Sequence, residues 1–132
     1  MPQRSDGTKV PQKEAIKAWA DVARPYLIEV AKAGTTVTYK ALANYVRERS
    51  GIDTRQLIYQ WIGEVLGEVS DEAERRGEPH LVSLCVSIED SVGAGYLWAP
   101  PDATQDERDD LAQQHRAECY ARYATESDLA QT

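Results

Sequence analysis

Histidine and cysteine are the residue types that most often bind zinc in proteins, and the chain has two of each. His115 and Cys119 are spaced to share one face of a helix, whereas His80 and Cys85 are separated by four residues in a segment with a strand pattern. That second spacing matches no usual pair of zinc ligands. We therefore predict no metal and no cofactor, with the cysteines as small core residues.

Paired carboxylates, which can serve as general acid and base, occur at 71–74 and at 106–110. Both runs lie in strongly charged stretches, without the apolar surroundings that raise a carboxyl pKa into the range of acid–base catalysis. We predict no catalytic residue, and we expect that the chain is not an enzyme.

A third group of residues has the chemistry of nucleic-acid recognition, because cations bind phosphates while amides, hydroxyls and arginine bind base edges. The predicted phosphate-binding residues are Lys40, Arg47 and Arg49. The predicted base-contacting residues are Thr54, Arg55, Gln56, Tyr59 and Gln60. The alternative is that they form an ordinary solvated surface.

The charge is unevenly distributed along the chain. The net charge of −7 argues, taken alone, against a protein that coats nucleic acid. Residues 1–60, however, hold ten Lys and Arg against six Asp and Glu, whereas residues 61–132 hold five against sixteen. One end could therefore face an anion, and the acidic end could instead bind a basic protein surface.

Helical spacing of apolar residues predicts the elements that position these side chains. A first helix is expected over 13–33, ended by Gly34 and kinked or broken at Pro25. A second is expected over 39–49, with Thr38 as its N-cap.

The third helix carries the predicted base-contacting residues near its start. It is expected to begin at Asp53 or Thr54 and to reach about Arg76. Gly63 and Gly67 lie four apart within it, and we expect them to let another backbone approach closely, because glycine is costly in a helix interior.

The rest of the chain predicts a β-hairpin and a last helix. Apolar and small residues alternate over 82–88, a turn follows at 89–93, and a return strand is expected over 96–98. A highly charged helix is then predicted over about 104–125.

These elements indicate an α+β, mostly helical fold with three helices, one β-hairpin and a C-terminal helix. Residues 1–12 are expected to be a flexible arm, 13–126 a single domain and 127–132 a flexible tail. Because the sequence has no signal peptide or membrane-length apolar run and only two cysteines, we expect a cytoplasmic protein without membrane contact.

Two helices, a turn and a hairpin are the order of elements in a winged helix-turn-helix. The run TTVTYKALANYV at 35–46 resembles the V-x-T-Y-G-x-L-A segment of alkylguanine-DNA alkyltransferases and alkyltransferase-like proteins. PHLV at 79–82 and GAGY at 93–96 resemble the proline-led strand and glycine-rich return of that family. Residues 35–98 also resemble a set of short bacterial and phage domains.

The resemblance implies a winged-helix fold that binds DNA, with the third helix as the recognition helix. It does not imply alkyl transfer, because the family's Pro-Cys-His-Arg motif is missing and Pro79 is followed by His80 and Leu81. Lys40 stands where the family has glycine.

Two hypotheses therefore remain open. The first is a non-enzymatic winged-helix-like domain, regulatory in role, that binds double-stranded DNA through residues 40–60, while its acidic C-terminal helix engages a protein or a second copy in a homodimer. The alternative is a protein-binding module or inhibitor that uses the acidic surface of 71–128.

The surface around the three arginines Arg47, Arg49 and Arg55 separates the two hypotheses. Clustering of these side chains would favour nucleic acid, whereas interruption by Glu48 and Asp53 would favour a protein partner.

Overall fold

The computed structural model describes residues 2–87, 92, 96 and 99–131, with the side chains of the last helix as far as Tyr123. In this part of the chain the fold is α+β and mostly helical. The helices are α1 (Gln12–Lys32), α2 (Tyr39–Ser50), α3 (Ile58–Arg75) and α4 (Gln105–Gln131). The strands are β1 (Gln3–Arg4), β2 (Val37–Thr38), β3 (Ile52–Asp53) and β4 (Cys85–Val86).

Helix α1 is the element against which α2, α3 and α4 all pack. Its Trp19 is fully buried, with its ring 4.4 Å from that of Trp61 in α3. The Trp19 Nε1 donates a 3.0 Å hydrogen bond to the carbonyl of Ile52, which satisfies the buried indole N–H and fixes β3 to the core. The strand between α2 and α3 is thereby held in place.

Of the kink or break predicted near Arg24, the break is wrong, because α1 continues through Pro25. A proline inside a helix costs about 3 kcal/mol. Pro25 is exposed, and Ala23 and Leu27 on either side of it are fully buried. We attribute the continuity of α1 to this core packing, which local sequence preference does not include.

Helix α2 begins and ends where the sequence predicts. Thr38 Oγ1 accepts a 3.1 Å hydrogen bond from the N–H of Ala41, as an N-cap residue does. Gly51 ends the helix in the left-handed conformation, at φ +72°. Gly34 ends α1 in the same conformation, at φ +68°.

Helix α3 begins at Ile58, later than predicted. The Asp53 carboxylate accepts the N–H of Thr54 at 2.7 Å, and the Thr54 hydroxyl accepts the N–H of Gln56 at 3.2 Å. These side chains stabilise a bend instead of capping a helix. Residues 51–57 consequently form a connector between α2 and α3.

The expectation that Gly63 and Gly67 allow a close backbone approach is wrong for the described part of the chain. A Cβ atom built at either glycine would have no neighbouring atom within 4 Å. Both glycines therefore lie beside open space.

The segment predicted as a strand over 82–88 begins inside a 3₁₀ helix, which spans Leu81–Leu84. Within its described residues, 82–87, the strand is limited to β4, which pairs in parallel with β2. Ile88 lies outside the described residues. Residues 81–86 are all buried, so alternation of apolar and small residues does not mark an exposed face here. The predicted turn at 89–93 and return strand at 96–98 lie, apart from Val92 and Tyr96, outside the described residues.

The N-terminal segment, predicted to be a flexible arm, is packed as a hairpin. Its ends meet where Val10 N–H donates to the Pro2 carbonyl at 2.8 Å, and both residues are buried. Between them, β1 pairs antiparallel with β3. At the other end of the chain, α4 runs to Gln131 and includes most of the predicted tail at 127–132.

Across the residues that the structure describes, no helix combines the length and apolarity that crossing a bilayer requires.

Candidate nucleic-acid interface

The three predicted phosphate-binding residues lie along α2 in different environments. Lys40 in the first turn and Arg49 in the last turn are exposed. Arg47 is half-buried, with its Nε 3.8 Å from Asp53 Oδ1 and its guanidinium 5.7 Å from the centre of the Trp61 ring. Arg47 therefore links α2 to the connector and to α3 as well as lining the surface.

The predicted base-contacting residues lie on both sides of the start of α3. Thr54 is 9% exposed and its hydroxyl is used in the bend, so it lies before α3 and not on the predicted helix, and its base contact stays a prediction. Arg55 is exposed and Gln56 is half-buried, and both lie in the connector. Neither belongs to a helix, which also differs from the prediction.

Two of the predicted residues lie on α3 itself. Gln60 is exposed, and its Oε1 accepts the N–H of Leu57 at 2.9 Å, which satisfies one of the N–H groups at the helix start. Tyr59 is 77% exposed and Leu57 is 57% exposed. An aromatic and an aliphatic side chain thus project into solvent beside Arg55.

The N-terminal hairpin brings further residues to this surface that the sequence analysis missed. Gln3 and Arg4 line an open groove together with Arg47 of α2. A second groove shares Gln3 with the first and is also lined by Lys9 and Arg55. The sequence marked Arg4 and Lys9 only as cations. Their position beside the connector depends on the pairing of β1 with β3, which no local pattern predicts.

Two carboxylates line the same grooves. Glu48 lines the groove beside Arg47, and Asp53 lines both grooves. Asp53 is engaged within the fold, since it accepts the Thr54 N–H and lies near the Arg47 guanidinium. The cations of the two grooves, Arg47, Arg55, Arg4 and Lys9, therefore form a cluster that the carboxylates of Glu48 and Asp53 interrupt. Lys40 and Arg49 lie outside both grooves.

The cysteines are buried thiols, not reactive ones. Burial raises the pKa of both Cys85 and Cys119, that of Cys119 to about 11. A thiol becomes a nucleophile or a metal ligand as the thiolate, which these surroundings disfavour.

The two histidines do come together, with ring centres 4.3 Å apart. The Tyr96 hydroxyl lies 2.6 Å from Nδ1 of His115, and burial, with the neighbouring His80, lowers the pKa of His115. Among the described residues, no group of three or more His, Cys, Asp or Glu side chains is arranged to hold a metal ion. The histidine pair joins α4 to the segment before the 3₁₀ helix.

No protein-family model, no curated protein and no solved structure matches this chain. The resemblance of residues 35–98 to alkyltransferase-like proteins therefore stays a prediction.

Proposed function

We propose that the chain is a non-enzymatic, winged-helix-like domain that binds double-stranded DNA through α2, the connector 51–57 and the start of α3. The observation that carries this proposal is the state of the exposed cations. Within the described residues, Lys40, Arg49 and Arg55 take part in no ion pair, whereas Arg24, Arg75 and Arg76 each have a carboxylate partner. These three cations of α2 and the connector can therefore neutralise phosphates without breaking an ion pair of the fold.

The arrangement of elements is compatible with the winged-helix part of the proposal. Helices α1, α2 and α3 pack on one another, and the strand between α1 and α2 pairs with the strand that follows α3. In a helix-turn-helix the helix after the turn presents its N-terminal residues to the major groove. Here those residues are preceded by Arg55 in the connector.

The proposal gives the candidate residues different roles. Arg55 is the side chain best suited to a base edge, because an arginine can bind O6 and N7 of guanine together. Lys40 and Arg49 are proposed to bind phosphates. Thr54 and Gln60 act as positioning residues, since their side chains hold the bend and the helix start.

Fluorescence anisotropy with labelled duplex DNA at about 50 mM and 200 mM salt tests the proposal. With several phosphate contacts, affinity should fall by about a hundredfold over this range. Arg55→Ala should weaken binding about tenfold, and Gln56→Ala somewhat less. Lys17→Ala is the matched control, because Lys17 is an exposed cation on α1 that lines neither groove.

A protein partner is the second candidate function, and the Arg47–Asp53 contact favours it, because this contact reduces the positive charge of the surface. In this case the acidic surface of 71–128, including Asp106 and Glu107 in the first turn of α4, would bind a basic protein. Failure to bind duplex DNA at either salt concentration would support this candidate. Sedimentation of the purified chain would show whether the partner is a second copy.

A further inference from the structure

The N-terminal hairpin, residues 2–10, is held together by backbone hydrogen bonds and carries exposed cations. Arg4 N–H donates to the Thr8 carbonyl at 2.8 Å, and Gly7 N–H donates to the Arg4 carbonyl at 2.9 Å. Gly7 adopts φ +89°, a conformation that glycine tolerates best, and the turn it forms separates Arg4 from Lys9. Pro2 and Val10 anchor the two ends in the core, as described above.

The fold leaves the two cations of this hairpin without a carboxylate partner. In the part of the chain that the structure covers, neither Arg4 nor Lys9 takes part in an ion pair. Asp6, the one acidic residue of residues 2–10, accepts the N–H of Thr8 at 2.9 Å, and its pKa is lowered first by this bonding to Thr8 and to a smaller extent by the charge of Arg4. The carboxylate of Asp6 thus stabilises the turn.

The hairpin lies beside the proposed DNA surface because β1 pairs with β3, the strand of the connector. Arg4 lines one of the two adjoining grooves and Lys9 lines the other, next to Arg55. A duplex whose base edge Arg55 contacts would therefore bring its phosphodiester backbone to the surface to which the hairpin contributes.

We infer that the N-terminal hairpin is a second phosphate-binding element, in which Arg4 and Lys9 hold the backbone of duplex DNA next to the connector. This inference rests on the proposed function and extends its surface beyond α2 and α3. It also assigns a role to Glu48, whose carboxylate lines the Arg4 groove and opposes the approach of phosphate.

The test is the salt dependence of DNA binding by the full chain. Each phosphate contact contributes about one unit to the slope of log affinity against log salt, so the double variant R4A/K9A should lower that slope by about two. Its affinity at about 50 mM salt should fall at least tenfold for any duplex sequence. The matched control is K13A/K17A, which removes two exposed cations of α1.

A third variant is expected to change DNA affinity in the opposite direction. Glu48→Gln should strengthen binding a fewfold, because it removes the carboxylate from the groove without removing a contact of the duplex. An unchanged slope in R4A/K9A, with tight wild-type binding, would overturn the hairpin's role and leave the proposed function intact. Failure of the wild type to bind at about 50 mM salt would overturn both.

Discussion

Cations in two regions of this molecule have different surroundings. Around the middle of α1 and the segment after α3, Arg24 forms an ion pair with Glu78, whose side chain is 8% exposed and also accepts the Tyr123 hydroxyl at 3.2 Å. Arg116 donates to the Ser83 carbonyl at 2.9 Å. In the proposed DNA surface, Arg55 has no such partner among the described residues.

A count of basic residues therefore does not locate an interface. A cation with a buried partner contributes to the free energy of folding, whereas an exposed cation contributes little and is available to a ligand. Arg47 lies between the two classes, because it contacts Asp53 and Trp61 and also lines a groove. Substitutions in the two regions should consequently change different measurements.

The largest effect is expected at Glu78. Glu78→Gln removes the charge that neutralises Arg24 in a partly buried site, and should lower the free energy of unfolding by about 2 kcal/mol. Urea denaturation measures the change. Glu74→Gln, at an exposed position of α3, is the control and should change stability by less than about 0.5 kcal/mol. Equal stability of the two variants would remove the basis of the comparison.

The next largest effect is a contrast between stability and DNA affinity in two arginine variants. Arg24→Ala should lower the free energy of unfolding by about 1–2 kcal/mol and leave DNA affinity unchanged. Arg55→Ala should do the opposite, with affinity reduced about tenfold and stability changed by less than about 0.5 kcal/mol. Anisotropy measures the DNA affinity of both variants, and urea denaturation measures their stability. Loss of the same property in both variants would contradict this expectation.

Two glycines, one within α3 and one beside the groove, should change the free energy of unfolding in opposite directions when replaced by alanine. Gly67→Ala in α3 should raise the free energy of unfolding by about 0.5–1 kcal/mol, since the new Cβ would meet open space. Gly51→Ala, beside the groove, should lower it by about 1 kcal/mol, because Gly51 has φ +72°. Thermal unfolding of both variants compares them directly, and destabilisation by Gly67→Ala would mean that something covers this face.

The smallest effect is expected from pH. Because the pKa of His115 is lowered in the folded chain, the unfolded chain binds more protons just below pH 6.5, and stability should fall as the pH falls through that value. Urea midpoints at about pH 7.5 and 5.5 measure the fall, which His115→Gln should reduce. Arginine stays protonated in this range, so a parallel loss of DNA affinity would contradict the separation of the two regions.

The sequence predicted those elements whose signals are local. The Thr38 cap and the terminal glycines Gly34 and Gly51 were sufficient to place α2 and the end of α1. The start of α3 was placed too early, because Asp53 and Thr54 have the residue types of an N-cap but use their side chains in a bend. An N-cap and a bend both use hydrogen bonds between these side chains and the backbone, so the sequence alone does not choose between them.

Long-range contacts account for the other differences. The 3₁₀ helix is buried on all sides and its Ser83 carbonyl is satisfied by Arg116, far along the chain, so a strand-like alternation there was misleading. The N-terminal hairpin depends on Pro2 and Val10, two isolated apolar residues that form no period. Of the predicted phosphate and base contacts, Arg47, Thr54 and Arg55 line the two grooves, but the hairpin's share of this surface was not predictable.

Duplex DNA is proposed to contact the hairpin, α2, the connector and the start of α3. The most direct measurement is a titration of the isotopically labelled chain with a short duplex, followed through its amide NMR signals. The largest shifts are expected within residues 3–9 and 40–60, with little change over 105–123. Shifts concentrated in α4, or none at any part of the chain, would contradict this proposal.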